Sequence, residues 1–83
     1  MLISAESSSI FRKLSGCREG ETVTIHRVEG SGPFRKRLLE MGFTKGSQLS
    51  IVRYAPLRDP LEVEVKGCHV SLRVSEADRI EVQ

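Results

Sequence analysis

Aromatic residues are scarce in this chain. Its 83 residues include no tryptophan, one tyrosine and three phenylalanines, so aromatic residues make up 5% of the total. Proteins that bind single-stranded nucleic acids usually stack the bases on clustered aromatic side chains. The net charge is only +2, and the single run of three basic residues, Arg35-Lys36-Arg37, fans out in different directions if it lies on a helix. We therefore expect no nucleic-acid partner.

Long hydrophobic stretches are missing as well. No apolar run approaches the roughly 20 residues that a membrane-spanning helix requires. The N-terminus also lacks the basic segment followed by a hydrophobic segment that is typical of a secretory signal. A cytoplasmic location is the expectation that follows, with any membrane contact made indirectly through a partner.

Cysteine is limited to two residues, Cys17 and Cys68. They are distant in sequence and form no C-x-x-C pair, so two free thiols are expected in a reducing compartment. Cys68 alternates in register with Val70 and Leu72, which predicts that it is a small buried apolar residue.

Recognisable catalytic motifs are absent. The chain has no glycine-rich phosphate-binding loop and no Ser/His/Asp or Cys/His arrangement at a known spacing. We expect no enzymatic activity, no catalytic residues and no cofactor.

The possible metal ligands are scattered along the sequence. Adjacent Cys68 and His69 point to opposite faces of a strand and cannot readily hold one ion. Ferrous iron favours several converging imidazole and carboxylate ligands, and no such set is visible, so no metal ligand is predicted. The residue types that could serve as ligands are His26, His69, Cys17, Cys68, Glu62 and Glu64.

One short amphipathic helix is predicted in the middle of the chain. Ser31 or Gly32 can serve as its N-cap, and Pro33 suits the first helical position because the missing N–H would have no helical partner there. Gly42 supplies the left-handed residue that ends the helix. A helix this short is not stable alone. Its apolar stripe, which must lie against the rest of the domain, is formed by Phe34, Leu38 and Met41.

The rest of the chain predicts about five short strands. Alternating apolar residues mark them within 21–29, 48–54, 61–65, 70–74 and 79–83. Val28 breaks the alternation, and a β-bulge would return it to the core. The middle of 48–54 carries apolar residues on both faces, which predicts a strand covered on both sides.

Five short strands joined by tight turns are too few for two covered sheets. Curling them into one small barrel removes the exposed edges. The predicted fold is therefore mainly β, a small SH3-like barrel of about five strands with one inserted α-helix. Residues 14–83 form this domain, and residues 1–13 form a partly ordered lead-in of which Ile10 and Phe11 fold back with Leu14.

An ordered set of signatures resembles the FeoA family between Leu14 and Val82. Arg37-Leu38-Leu39-Glu40-Met41-Gly42-Phe43 is similar to the family pattern Arg-Leu-x-Glu-Leu-Gly-Leu. The later matches are Gly46, Pro56, Asp59-Pro60, Gly67, Ser71-Leu72-Arg73, Glu76-Ala77 and Ile80-x-Val82. Two residues depart from the pattern: Lys45 where proline often precedes Gly46, and Arg58 where glycine often precedes Asp-Pro. Arg58 is strained if its position requires a positive φ.

The resemblance implies a small cytoplasmic accessory or regulatory protein of bacterial ferrous iron uptake. FeoA proteins are understood to act with FeoB, a membrane permease with a cytoplasmic GTP-binding domain. The resemblance also implies an alternative, since similar domains serve as regulatory or peptide-binding modules of iron-dependent repressors. RNA binding by a small barrel is a further alternative. The chain is expected to be a monomer or a weak homo-oligomer.

The predicted partner-binding surface is the charged helix and the turns beside it. Basic side chains there can pair with acidic groups of a permease, and a partly exposed Phe43 can anchor in a pocket. The opposing interpretation is a solvated helix face with Phe43 in the core. The predicted contact residues are Arg35, Lys36, Arg37, Glu40, Phe43 and Arg58.

Overall fold

The computed structural model describes residues 11–83, which form six antiparallel strands and two helices. A one-turn 3-10 helix, Leu14–Gly16, follows the first strand. None of the helices within residues 11–83 is long and apolar enough to cross a membrane. The elements in chain order are β1 (Arg12–Lys13), β2 (Thr22–Val28), α1 (Gly32–Glu40), β3 (Gln48–Tyr54), β4 (Leu61–Val65), β5 (Cys68–Leu72), α2 (Val74–Ala77) and β6 (Ile80–Val82).

The strands form one sheet in the order β1-β6-β2-β3-β4-β5. Neighbouring strands from β2 to β5 are consecutive in the chain, whereas β6 returns to pair with both β2 and β1. The sheet surrounds a single core in which every fully buried residue is apolar. A mainly β, SH3-like barrel with one inserted helix is therefore confirmed. One more strand is present than predicted, because Arg12–Lys13 pair with β6.

A bulge in β2 returns Val28 to the core, as predicted. The pairing of β2 with β6 shifts register between Ile25 and Arg27, and Val28 is only 6% exposed. A second register shift lies in β3, between Ile51 and Arg53. There it leaves Val52 37% exposed. The expectation that β3 is covered on both faces is therefore wrong.

The predicted helix is confirmed as α1. Ser31 precedes it in extended conformation, and proline stands in its first turn. Leu38 is fully buried, while the two other residues of the predicted stripe, Phe34 and Met41, are half-buried against the core. The apolar stripe therefore fixes α1 against the barrel and directs its charged residues to solvent.

The start of the described chain packs onto the barrel. Leu14 is fully buried, and the ring of Phe11 stacks on His26 with 3.8 Å between the ring centres. The sheet begins at Arg12, inside the predicted lead-in. The expectation for Ile10 lies outside the described residues.

The C-terminal part differs from the prediction in two places. Strand β5 ends at Leu72, short of the predicted 74, and Arg73 and Val74 instead begin the short helix α2. The expectation that Cys68 is buried is wrong, because this residue is exposed at the start of an edge strand, beside a tight turn. Among the residues that share its register, burial increases from exposed Cys68 through half-buried Val70 to buried Leu72, so alternation alone could not place the exposed end.

Candidate functional site

A groove of about 570 Å³ opens beside α2. Three parts of the chain meet there: the second half of α1, the connection between β3 and β4, and the segment from β5 into α2. Its lining residues are Arg37, Leu57, Asp59, Pro60, Ser71, Arg73 and Glu76. Because these residues are far apart in sequence, the barrel topology alone creates the site.

The acidic side chains of the groove hold the start of α2. The backbone N–H of Val74 donates to Oδ1 of Asp59 at 3.1 Å, and the backbone N–H of Arg73 donates to Oε1 of Glu76 at 3.0 Å. The first N–H groups of a helix have no helical partner, so these carboxylates satisfy them. Both residues therefore serve the local fold as well as lining the groove.

Arg37 joins α1 to α2 across the groove. Its Nη2 lies 3.3 Å from Oε2 of Glu76, and the arginine side chain is 58% exposed. An ion pair this exposed contributes roughly 0–1 kcal/mol to stability. The guanidinium therefore keeps most of its donors open to a ligand.

The connection between β3 and β4 presents an apolar tip. Leu57 is 90% exposed, although the loop that carries it is well held. The backbone N–H of Arg58 donates to the carbonyl of Ala55 at 2.7 Å, and the N–H of Ala55 donates to the carbonyl of Pro60 at 3.0 Å. The tip is therefore a fixed apolar projection at the edge of the groove.

Arg58 adopts the positive φ that would strain a non-glycine residue at this position. Its φ is +68°, a value that non-glycine residues seldom adopt. Its guanidinium carbon lies 4.1 Å from the centre of the Tyr54 ring, an arrangement that favours the cation. The side chain thus lies back on β3 and points away from the groove that its neighbours line.

The predicted contact residues of α1 have different surroundings. Nε of Arg35 donates to the carbonyl of Val28 at 3.2 Å and so attaches the helix to the end of β2. Lys36 and Glu40 are exposed, and within residues 11–83 neither makes a side-chain hydrogen bond or ion pair. Of the six predicted residues, only Arg37 lines the groove.

Phe43 is fully buried, so the expectation that it is partly exposed is wrong. The end of α1 explains why. The N–H of Gly42 donates to the carbonyl of Leu39 at 3.1 Å, and the N–H of Phe43 donates to the carbonyl of Leu38 at 3.0 Å. This is a Schellman motif, in which the residue after the glycine packs against the last turn of the helix. The motif turns Phe43 onto Leu38 and into the core.

The possible metal ligands do not converge in the described part of the chain. No group of three or more His, Cys, Asp or Glu side chains within residues 11–83 is placed to hold an ion. The nearest association is between Nε2 of His69 and Oε1 of Glu64, 3.8 Å apart on the exposed face of β4 and β5. Both cysteines are free, which confirms the prediction for the thiols.

Leu57, Ser71 and Arg73 were not predicted as site residues. Their sequence neighbourhood offers no periodicity or spacing that links them. The available signal was local: a leucine between Pro56 and Asp59-Pro60 has no place in a strand and is therefore exposed.

Comparison with known proteins gives consistent results. The chain matches the FeoA domain over residues 12–83. It is similar to an Fe(2+) transport protein A/Fe(2+) transporter FeoB fusion protein of Porphyromonas gingivalis, with 48% identity over 71 residues that make up 86% of this chain and 8% of that protein. The chain therefore spans a small part of this curated relative.

Solved structures share the fold. The FeoA protein from Chlorobium tepidum superimposes with a TM-score of 0.83 at 35% identity, covering 87% of this chain and 69% of that one. A zinc complex of Stenotrophomonas maltophilia FeoA, described as a prokaryotic SH3 domain protein, gives a TM-score of 0.77 at 30% identity and covers 87% of this chain and 89% of that one.

The fold and the groove together define a small SH3-like barrel with a surface suited to binding. The two solved relatives that share this barrel are FeoA proteins. The chain belongs to the FeoA family.

Proposed function

We propose that this chain is a cytoplasmic accessory protein of bacterial ferrous iron uptake and that it acts by contact with a FeoB-type permease. The observation that carries this proposal is the fusion protein of Porphyromonas gingivalis, in which a segment 48% identical to this chain is joined to a FeoB transporter in one polypeptide. Fusion keeps two domains at a high effective concentration, which favours their contact. A separate chain of the same family needs a binding surface to achieve the same association.

The charged face of α1 is the proposed contact. Arg35, Lys36, Arg37 and Glu40 are exposed there, and the buried stripe on the opposite side holds the helix in place. Charged groups at the edge of an interface steer encounter and fix orientation. The guanidinium of Arg58 lies on the ring of Tyr54 and is therefore not free to join this contact. The loop that carries Arg58 can still contribute through the residues beside it.

Phe43 has no part in this contact. Its side chain is inaccessible in the folded domain, so an aromatic anchor must come from elsewhere. Leu57, which is 90% exposed at the adjacent loop tip, offers an apolar side chain in its place.

Lys36 is the residue that tests the contact most cleanly. Its side chain makes no hydrogen bond or ion pair within residues 11–83, whereas Arg35 bonds to Val28 and Arg37 pairs with Glu76. Lys36→Glu therefore reverses a charge on α1 without removing an internal bond. The matched control is Arg18→Glu, at an exposed arginine of the loop before β2. Its side chain makes no hydrogen bond or ion pair within residues 11–83, although its charge lies near Glu21.

The experiment is co-purification with the FeoB-type permease from solubilised membranes. An exposed ion pair contributes up to about 1 kcal/mol, so Lys36→Glu should reduce recovery by up to about fivefold. The triple variant R35E/K36E/R37E should reduce it further, and Arg18→Glu should not. Undiminished recovery of the permease with both helix variants would contradict the proposal, as would recovery of a transcription regulator or RNA in its place.

A further inference from the structure

We propose that the groove beside α2 binds an extended acidic peptide segment that also carries an aliphatic side chain. Arg73 and Arg37 receive a carboxylate of the segment, and Leu57 contacts the aliphatic side chain. This inference rests on the proposed function in one respect, namely that the peptide segment belongs to the protein that this chain assists. The binding itself is a property of this chain.

The two guanidinium groups of the groove keep free hydrogen-bond donors, although its lining as a whole pairs two arginines with two carboxylates. The guanidinium of Arg73 makes no hydrogen bond or ion pair with any other described residue, and the side chain is exposed. Arg37 makes a single bond, at 3.3 Å, to Glu76. Each guanidinium carries five N–H groups that match a carboxylate in two-point geometry. A ligand rich in carboxylate oxygens satisfies these donors.

The two acidic residues of the groove are partly committed to the protein. One oxygen of Asp59 accepts the N–H of Val74, and the two oxygens of Glu76 accept from Arg73 and Arg37. As carboxylates beside two arginines they nevertheless limit which anions fit the groove. A polyphosphate backbone would place closely spaced charges against them. A peptide spaces its carboxylates on alternate residues and can direct single ones to the arginines.

Leu57 supplies the apolar part of the recognition. Its side chain is 90% exposed on a loop fixed by two backbone hydrogen bonds. A rigid apolar projection loses little conformational entropy when it is covered. The groove volume of about 570 Å³ lies within the range of sites that hold ligands of a few residues. The site therefore recognises an acidic and an aliphatic side chain together.

The test is a titration of the 15N-labelled chain with a short blocked peptide in which glutamate and leucine alternate. Backbone amide signals of Leu57, Ser71 and Arg73 should move saturably, and added salt should weaken binding. Two further peptides, with lysine replacing glutamate or alanine replacing leucine, separate the charge from the apolar contact. Both should bind weakly or not at all.

Arg73→Gln is the decisive variant, because it keeps the backbone N–H that donates to Glu76. Because this variant removes a charge-assisted hydrogen bond to the peptide, we expect its affinity to fall about tenfold. Leu57→Ser should also weaken the alternating peptide, whereas the control Arg18→Gln should not. The amide spectrum of each variant shows that the fold is retained.

Three results would overturn the inference: no saturable shifts, equal affinity of Arg73→Gln and Arg18→Gln, or tighter binding of an oligouridylate than of the acidic peptide. None of them depends on the permease. A failed titration leaves the contact through α1 standing, and failed co-purification leaves the peptide site standing, so the two proposals fail separately.

Discussion

Truncating Phe43 to alanine should destabilise this domain more than a change at any exposed residue of the site. The side chain is 0% exposed and packs in one cluster with Leu38, which is also 0% exposed. Removing a buried phenylalanine side chain costs about 3–5 kcal/mol, through lost transfer energy and the cavity that remains. The N–H of Phe43, which donates to the carbonyl of Leu38, is kept in alanine. The loss therefore comes from packing.

This magnitude is large for so small a domain. A chain of this size has a total unfolding free energy of roughly 4–12 kcal/mol. Urea denaturation followed by far-ultraviolet circular dichroism measures the difference, with the midpoint and slope compared between variants. Phe43→Leu, which leaves a smaller cavity, gives a measurable value if the alanine variant does not fold.

The matched control is Leu57→Ala, since Leu57 is 90% exposed. Surface changes of this kind usually remain within about 0.5 kcal/mol. Equal changes in the unfolding free energy for Phe43→Ala and Leu57→Ala would refute the assigned burial of Phe43. That result would mean that Phe43 is exposed and can contact a partner.

Three further predictions concern pH, thiols and the backbone. Nη2 of Arg12, 2.8 Å from Oε2 of Glu21, and the backbone N–H of Arg18 lower the pKa of Glu21 below its usual value. The stability that this carboxylate adds is present above the unfolded glutamate pKa of about 4.3 and is lost as the pH falls through the lower folded value. Glu21→Gln should therefore reduce the loss of stability at acidic pH in a stability–pH profile. An unchanged acidic part of the profile would contradict this. Burial raises the pKa of the Cys17 thiol, while Cys68 is exposed. A thiol reagent should therefore modify Cys68 rapidly and Cys17 only on unfolding. Equal reaction rates of the two thiols would disprove the burial of Cys17. Gly46 has φ +90° with open space around it, so Gly46→Ala should cost about 1–3 kcal/mol of unfolding free energy through backbone strain alone. Gly16→Ala, at a residue without a positive φ, should cost little. Equal thermal midpoints of the two variants would count against the assigned backbone conformation.

Local patterns predicted the regular elements well. Strands β3 and β4 have the predicted bounds, because alternating residues in these segments meet a core on one side. The bulge at Val28 was readable for the same reason, since a buried valine out of register requires one extra residue. The helix was identified by its proline, its apolar stripe and its terminal glycine.

The errors arose where the environment was non-local or motif geometry was overlooked. Cys68 follows the alternation of β5 but lies at the exposed end of an edge strand, which sequence parity does not reveal. Phe43 was interpreted as a turn residue, although a hydrophobic residue directly after a helix-ending glycine is typical of the Schellman motif. That signal was available in the sequence.

The groove was not predictable from sequence patterns. Arg37, Leu57 and Arg73 come from three separate segments, and only the folded barrel brings them together. The charged helix was predicted as a surface, and its exposure is confirmed for Arg35, Lys36 and Glu40. Whether these residues contact a permease stays a prediction.

Direct binding of the purified chain to the purified FeoB-type permease in detergent tests the central claim. A labelled chain titrated with the permease should bind saturably, with weaker binding for Lys36→Glu and unchanged binding for Arg18→Glu. No saturable binding of the wild-type chain to the permease, with or without guanine nucleotide, would contradict the account.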